Sequence, residues 1–224
     1  MADSADSGYG IFSNVWRSDE VAALATTLAQ ADLDRSRAGA RHLLTQPAVT
    51  ALARDPRMLE VARQFLHTEP FPFRATLFDK SAQSNWLVVW HQDTALPLRE
   101  RREVAGWGPW SVKGGVTYAH APAAALSRVI ALRMHLDDSG ADNGPLRVLP
   151  STHTLGLLGD DAIAEIARAT NPVDCLVDAG GVIAMRPLLL HASSKARSDR
   201  PRRVIHIEYA DSPDLGDGLE LALA

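Results

Sequence analysis

The sequence lacks several features that would each indicate a particular class of protein. It has one cysteine, Cys175, so an intrachain disulfide framework is excluded. Lysine and arginine number 23 against 27 aspartate and glutamate residues and form no basic run, so we expect no nucleic-acid partner. No apolar run approaches the roughly 20 residues that a membrane-spanning helix needs, so we expect no membrane partner.

The first residues carry no sign of secretion. Residues 1–7 have neither the basic region nor the apolar run of a signal peptide, and we therefore expect a cytoplasmic protein. The composition, 46% hydrophobic and 22% charged, is that of an ordinary globular chain. A length of 224 residues suits one well-buried core, so we predict a single domain over residues 1–224.

The first third of the chain, residues 15–68, has helical patterns. Ser18, Asp19 and Glu20 resemble a helix start, with acidic residues in the first turn. Apolar residues follow at helical spacing, namely Val21, Leu24, Leu28 and Leu33. Asp55 and Pro56 form a second start signal, so we predict at least two helices before the Pro-rich stretch at residues 70–72.

From about residue 73 to residue 210 the pattern is one of short strands separated by turns, which is typical of a sandwich or barrel. The predicted strands are residues 74–79, 86–93, 129–137, 146–149, 182–185, 188–193 and 203–209. One helix is predicted among them, at residues 160–169. Residues 94–126, here called the lid segment, show no clear periodicity, and we expect an irregular lid because long loops in compact domains are usually functional.

Two histidines and one aspartate are the candidate metal ligands. Side chains alternate along a strand, so His91 and Asp93 project from the same face and can reach one ion. His191, on a later predicted strand, would complete a set of two imidazoles and one carboxylate. Non-haem Fe(II) oxygenases use this facial triad, which leaves metal positions free for a co-substrate and O2.

A second pair with the same spacing, His135 and Asp137, also lies on a predicted strand. A histidine and an aspartate two residues apart are common without a metal. Strand periodicity therefore gives no reason to prefer His91 and Asp93 over the second pair.

Four segments, in order along the chain, resemble the phytanoyl-CoA dioxygenase superfamily. The first, residues 77–93, contains LFDK at 77–80, NW at 85–86 and WHQD at 90–93. The other three are NGPLRVLPSTH at 143–153, LHAS at 190–193 and RRVIHIEY at 202–209. The resemblance implies a mainly β fold, a double-stranded β-helix or jelly-roll related to the cupins, with N-terminal helices packed on it. The resemblance also favours His91 and Asp93 over His135 and Asp137.

The resemblance implies that His91, Asp93 and His191 hold Fe(II). It further implies that Arg202, eleven residues after His191, binds the distal carboxylate of 2-oxoglutarate. A guanidinium suits this role because it is always charged and can bind a carboxylate through two parallel hydrogen bonds.

Further co-substrate residues are implied less strongly. Ser193 matches a position that donates a hydroxyl to the same carboxylate, although it can equally be an ordinary strand serine. Thr76 matches a position that lines the co-substrate site. Lys80 and Asn85 are motif positions to which no role is assigned.

The candidate substrate residues lie where the resemblance is weaker. Arg133 stands where relatives often have a tryptophan, and it can either bind an anionic substrate group or lie on a solvated strand face. Trp107 and Trp110 belong to the lid segment and are candidate substrate contacts.

The implied activity is that of an Fe(II)- and 2-oxoglutarate-dependent dioxygenase, which uses O2 to oxidise a small-molecule substrate and releases succinate and CO2. Hydroxylation, or a related desaturation or cyclisation, is favoured over halogenation, because related halogenases replace the carboxylate ligand at the position of Asp93. One alternative is a cupin-type metalloenzyme that does not use 2-oxoglutarate. Another is a non-catalytic jelly-roll that binds a small ligand or a structural metal, although structural zinc sites usually have four protein ligands. The sequence gives neither the substrate nor the oligomeric state.

Overall fold

The computed structural model describes residues 7–36, 39–81 and 84–224. The helices are α1 (Ser18–Gln30), α2 (Pro47–Ala53), α3 (Pro56–Leu66), α4 (Ala123–Leu126) and α5 (Asp160–Ala169), with 3-10 turns at Leu43–Thr45 and Thr152–Leu155. The first strands are β1 (Tyr9–Phe12), β2 (Arg35–Ser36), β3 (Gly39–Ala40), β4 (Phe71–Lys80), β5 (Val88–His91), β6 (Ala95–Leu98), β7 (Trp110–Lys113) and β8 (Val116–His120). The later strands are β9 (Val129–His135), β10 (Leu146–Val148), β11 (Val173–Cys175), β12 (Val182–Met185), β13 (His191–Ser193), β14 (Arg202–Ala210), β15 (Asp214–Gly216) and β16 (Leu219–Glu220).

Two antiparallel sheets form the body of the protein. The larger sheet has the strand order β1-β12-β9-β14-β4-β3-β2, and the smaller has the order β11-β10-β13-β5. The long strands β4, β9 and β14 pair side by side at the centre of the larger sheet. This is a mainly β, cupin-like jelly-roll, and the predicted fold class is confirmed.

The larger sheet has two chemically different faces because its side chains alternate. One face is apolar and packs against helices α1 to α3, with Leu132, Ile205 and Tyr209 in that core. The opposite face carries the polar residues of the same strands, among them Arg133 and His206, which line a cavity between the sheets. Side-chain alternation thus places a hydrophobic core on one side of the sheet and the candidate site on the other.

The predicted helices are confirmed at their start signals. Helix α3 begins at Pro56, and the carboxylate of Asp55 accepts a hydrogen bond from the backbone N–H of Arg57 at 2.9 Å. This contact satisfies one of the N–H groups that a helix leaves unpaired at its first turn. Helix α5 has the bounds that its sequence pattern predicts. Among the described residues, no helix is both long and apolar enough to cross a bilayer.

The expectation of irregular structure in the lid segment was wrong. Strands β6, β8 and β7 form a separate three-stranded sheet there, and α4 follows it. Gly114 and Gly115 connect β7 to β8 with φ angles of +56° and +78°, which glycine adopts at little cost in a two-residue hairpin turn. The three strands have only four or five residues each, and so short a run gives little periodicity to detect.

Candidate metal centre and co-substrate cavity

The two candidate histidine ligands lie opposite each other on neighbouring strands. His91 ends β5 and His191 begins β13, and the two Cα atoms are register partners in an antiparallel pair. Asp93 follows β5 directly, and its backbone N–H donates to the carbonyl of Pro187 at 2.9 Å. That hydrogen bond ties the turn after β5 to the segment that leads into β13, so the three side chains are held together.

Backbone hydrogen bonds orient both imidazoles. His91 Nδ1 donates to the carbonyl of Val89 at 2.8 Å, and His191 Nδ1 donates to the carbonyl of Leu189 at 2.9 Å. Because a carbonyl can only accept, the proton of each neutral ring must be on Nδ1 and the lone pair on Nε2. The two Nε2 atoms lie 3.7 and 3.5 Å from the carboxylate oxygens of Asp93.

One donor atom from each of these residues falls within 4.8 Å of the others, an arrangement that can hold a metal ion. Burial lowers the pKa of His191 to about 4, so the ring is neutral near pH 7 and available as a ligand. Burial raises the pKa of the Asp93 carboxyl, but His191 and other nearby basic groups outweigh this effect and lower it to about 2. Two imidazoles and one carboxylate therefore face the same point.

The second pair identified in the sequence does not form such a group. Asp137 accepts hydrogen bonds from the backbone N–H of Arg203 at 2.8 Å and from its guanidinium at 2.9 and 2.7 Å. His135 is fully buried inside the jelly-roll, and neither ring nitrogen has a hydrogen-bond partner among the described residues. Asp137 therefore forms an ion pair with Arg203. His135 and Asp137, which the sequence spacing left as an alternative, lie outside the metal-binding group.

Arg202 lies in the same cavity as the triad. The cavity has a volume of about 240 Å³ and is lined by Arg202, Thr76, Arg133 and the three candidate ligands, among others. Arg202 is 3% exposed, and its Nε and Nη1 atoms have no hydrogen-bond partner within the described part of the chain. Its Nη2 atom donates to Ser193 Oγ at 3.2 Å. A buried guanidinium with unpaired donors calls for an anion, because leaving such donors unsatisfied is costly.

Ser193 lies beside Arg202, but its hydroxyl is already engaged. It donates to the carbonyl of Gly144 at 2.8 Å and accepts from Lys80 Nζ at 2.9 Å as well as from Arg202. A hydroxyl has only one hydrogen to donate, so this arrangement leaves none for a carboxylate. Ser193 thus positions Arg202 and Lys80 in this structure.

The structure shows the contacts of Lys80 and Asn85, the two motif residues to which the sequence assigned no role. Lys80 is 1% exposed and also donates to the carbonyl of Ser194 at 2.7 Å. Burial, followed by the charges of Arg202 and Arg133, lowers the pKa of Lys80 to about 8. Asn85 bonds to both the carbonyl and the N–H of Ala196, which fixes the chain after β13.

Arg133 is buried rather than solvated. It is 7% exposed, and its Nη1 donates to His206 Nδ1 at 3.1 Å. Burial lowers the pKa of Arg133 to about 10, and its Nε has no partner among the described residues. The solvated strand face considered from the sequence is therefore wrong for this residue, which lines the cavity.

The structure does not bring the two candidate tryptophans to the cavity. Trp107 and Trp110 pack against a small apolar cluster that contains Leu98, Ala119 and Leu219. From the lid segment it is instead Lys113 and Tyr118 that line the cavity. The two tryptophans of the lid segment thus pack in a local apolar cluster rather than against the cavity.

The sequence patterns did not reveal a buried ion pair beside the cavity, between Arg74 and Glu208. Arg74 donates from Nε and Nη2 to the carboxylate of Glu208 and from Nη1 to the carbonyl of Ala95 at 3.0 Å. The carboxylate of Glu208 is 2% exposed. The alternation of side chains along β4 could have indicated this role for Arg74, because Arg74 lies on the same strand face as Thr76, Phe78 and Lys80.

Comparisons with known proteins agree with this geometry. The family model described as phytanoyl-CoA dioxygenase matches residues 6–204. A search of curated proteins found no match.

Solved structures share the fold at low sequence identity. AviO1 from Streptomyces viridochromogenes Tue57 superposes with a TM-score of 0.66 at 23% identity, covering 92% of this chain and 91% of that one. EctD from S. alaskensis, solved with 2-oxoglutarate and 5-hydroxyectoine, gives 0.70 at 22% identity over 93% of this chain and 74% of that one. HygX from Streptomyces hygroscopicus, solved with nickel and 2-oxoglutarate, gives 0.65 at 16% identity over 92% and 83%.

Proposed function

Since the chain belongs to the phytanoyl-CoA dioxygenase family, we propose that it is an Fe(II)- and 2-oxoglutarate-dependent dioxygenase that hydroxylates a small molecule. The observation that carries the proposal is the presence of two sites in one cavity. An open metal-binding triad lies at one place, and a buried arginine with unpaired donor nitrogens lies at another.

The residues present fit both Fe(II) and 2-oxoglutarate. Two imidazoles and one carboxylate are the donor set that suits non-haem Fe(II), and three protein ligands leave positions open on the metal. The structure leaves Nε and Nη1 of Arg202 without partners, and either atom, together with the second hydrogen of Nη2, can form a fork of two parallel hydrogen bonds to a planar carboxylate. His91, Asp93 and His191 would hold the iron, and Arg202 would hold the distal carboxylate of 2-oxoglutarate, with Thr76 beside it.

When bound, Fe(II), 2-oxoglutarate and O2 together supply the oxidising power that converts a C–H bond into C–OH, with succinate and CO2 as the other products. The chain supplies position and environment. The Nδ1 hydrogen bonds keep both Nε2 atoms directed at the metal position, and ionised Asp93 provides the charge. Ser193 accepts hydrogen bonds from both Arg202 and Lys80 and so fixes the position of Arg202 in the cavity.

Two alternatives predict different behaviour. A cupin-type metalloenzyme that does not use 2-oxoglutarate would need the triad but would gain nothing from Arg202. A jelly-roll that binds a small ligand or a metal without catalysis would bind iron without consuming 2-oxoglutarate. The buried guanidinium with free donors favours the proposed function over the first alternative. The three-residue donor set, which leaves metal positions open, favours it over a structural metal site.

The test is anaerobic titration of the apo protein with Fe(II) and 2-oxoglutarate, followed by visible absorption. The proposal predicts the charge-transfer band of the chelate in wild type and a much weaker band in Arg202→Ala at the same 2-oxoglutarate concentration. Arg168→Ala, on the exposed face of α5, serves as the matched control and keeps the band. A wild-type protein that binds iron but gives no band contradicts the proposal.

A further inference from the structure

The cavity that contains the triad has a strong excess of positive charge. One carboxylate, that of Asp93, lines it. Five side chains that are cationic at neutral pH line it as well, namely Arg41, Arg74, Lys113, Arg133 and Arg202. Low-dielectric walls focus such a field and attract counter-ions into a cleft.

Three of the five cations, deeper in the cavity, are already paired, assigned to 2-oxoglutarate or in contact with a buried side chain. Arg74 is neutralised by Glu208. Arg202 is assigned to the distal carboxylate of 2-oxoglutarate under the proposed function. Arg133 is buried beside His206. Fe(II), Asp93 and the 2-oxoglutarate dianion together carry one negative charge, which Arg202 and Arg133 more than balance.

Arg41 and Lys113 remain, and both lie at the exposed mouth of the cavity. Within the described ranges neither forms an ion pair with a carboxylate. Nothing in the filled cavity would neutralise them, because the charge deeper inside is already balanced or positive. Among the described residues, the mouth therefore keeps two cations without an ion-pair partner, in a protein whose overall formal charge is −4. Asp32 and Asp34 line a neighbouring cavity together with them.

The two cations come from separate segments that a specific contact brings together. Arg41 follows β3, and Lys113 ends β7 next to the Gly114 turn. The turn packs against His42, since a Cβ on Gly114 would lie 2.7 Å from the ring atom Cε1. His42 Nε2 in turn lies 3.2 Å from the hydroxyl of Tyr118, so the hairpin is fixed beside the segment that carries Arg41.

We propose that Arg41 and Lys113 form an anion-binding site at the mouth and that the substrate carries an oxyanion, such as a carboxylate, phosphate or sulfate, which docks there. This substrate class rests on the proposed function of the same cavity. The arginine offers a planar fork of donors and the lysine a point charge, a combination that suits an oxyanion. The rest of the substrate would then extend inward past Tyr118 toward the triad.

The direct test is calorimetric titration of the anaerobic protein, loaded with Fe(II) and 2-oxoglutarate, with sodium sulfate against sodium chloride at equal ionic strength. Saturating 2-oxoglutarate keeps sulfate away from Arg202. We expect saturable sulfate binding in wild type and about tenfold weaker binding in Arg41→Gln/Lys113→Gln. The control Arg168→Gln/Lys195→Gln removes the same charge from exposed positions outside the cavity and should bind sulfate like wild type.

The absence of saturable sulfate binding in wild type overturns the proposal, as does equal binding in the two double variants. If Arg133→Gln weakens sulfate binding while Arg41→Gln/Lys113→Gln does not, the anion binds deep in the cavity near Arg133. The proposed site at the mouth is then wrong. The chelate band is recorded first for every sample. Loss of that band in wild type counts against the proposed function, whereas a normal band with unchanged sulfate binding counts against the mouth site alone.

A second readout uses turnover. Succinate release is measured over a library of small acids, each paired with its neutral methyl ester. We expect stimulation by acids and not by their esters, and about a tenfold rise in KM for an active acid in Arg41→Gln/Lys113→Gln. Esters that stimulate as well as their acids contradict the proposed substrate class.

Discussion

His91 and His191 are Cα partners on neighbouring antiparallel strands, and their ring centroids lie 4.1 Å apart. Each ring donates from Nδ1 to the carbonyl two residues before it. The sheet register and two backbone hydrogen bonds thus organise the ligands before any metal arrives. Such outer hydrogen bonds fix the tautomer and orientation of metal-binding imidazoles.

The first prediction compares the two histidine positions that strand periodicity left equivalent. His91→Ala should lower Fe(II) affinity by at least about 100-fold, because one of three ligands is lost. His135→Leu should leave Fe(II) affinity within about twofold of wild type, because His135 lies outside the metal-binding group. Metal content and anaerobic Fe(II) titration of the purified variants measure both. The reverse pattern would move the metal site to His135.

The second prediction concerns Ser193. Ser193→Ala removes an acceptor from both Arg202 and Lys80, so the cation at the end of the cavity loses its fixed position. We expect 2-oxoglutarate affinity to fall about tenfold while Fe(II) affinity stays the same, as the chelate band reports when 2-oxoglutarate is titrated. Ser194→Ala is the matched control, because Lys80 contacts only the backbone carbonyl of Ser194. Equal affinities in the two variants would show that Ser193 does not position Arg202.

The third prediction concerns the buried pair Arg74 and Glu208. Glu208→Gln removes the charge that balances Arg74, whose side chain is 17% exposed. Breaking a buried ion pair from one side costs about 3–5 kcal/mol, because a desolvated charge is left behind. Urea unfolding should show a loss of this order. Glu69→Gln, which weakens the exposed pair between Arg63 and Glu69, should show no measurable change.

The fourth prediction is a pH dependence that comes from Asp137. Burial raises the pKa of this carboxyl, but the hydrogen bonds and charge of Arg203 outweigh burial, and the pKa lies below its ordinary value of 3.8. A lowered native pKa contributes stability above about pH 3.8, and this stability is lost as the pH falls through the native pKa. Asp137→Asn should therefore melt below wild type at pH 7.

The difference in melting temperature between Asp137→Asn and wild type should shrink steadily as the pH is lowered from 5 toward 3. Thermal melts followed by circular dichroism measure it. A difference that stays constant over this range would mean that the Arg203 contact does not stabilise the charged form of Asp137. The variant should also keep full Fe(II) affinity, because Asp137 belongs to no metal-binding group among the described residues.

Much of the fold follows from sequence patterns because those patterns reflect long elements. Strands β9 and β14 alternate between an apolar helix-packed face and a polar cavity face, and α5 has the bounds that its pattern predicts. Several other short strands were missed, including β1, β11 and those of the lid segment. Each pairs with a distant strand or forms a small local sheet, so tertiary contacts rather than local periodicity determine it.

The site was predictable where a motif matches the family and less so elsewhere. The family resemblance implies the role of Arg202, and the structure places Arg202 and His191 in one cavity. Arg41 lines the mouth although no sequence motif marks it, because only the fold brings the residue after β3 beside the hairpin turn at Gly114. Trp107 and Trp110 looked like substrate contacts but complete a local apolar cluster.

The central claim is that one cavity holds Fe(II) through the triad and 2-oxoglutarate through Arg202. The most direct measurement is the visible charge-transfer band of the anaerobic protein with Fe(II) as 2-oxoglutarate is added. We predict a saturable band in wild type, no band in His91→Ala, and a band in Arg202→Ala only at much higher 2-oxoglutarate concentrations. The absence of a band in wild type, or a titration in Arg202→Ala identical to that of wild type, would contradict the account.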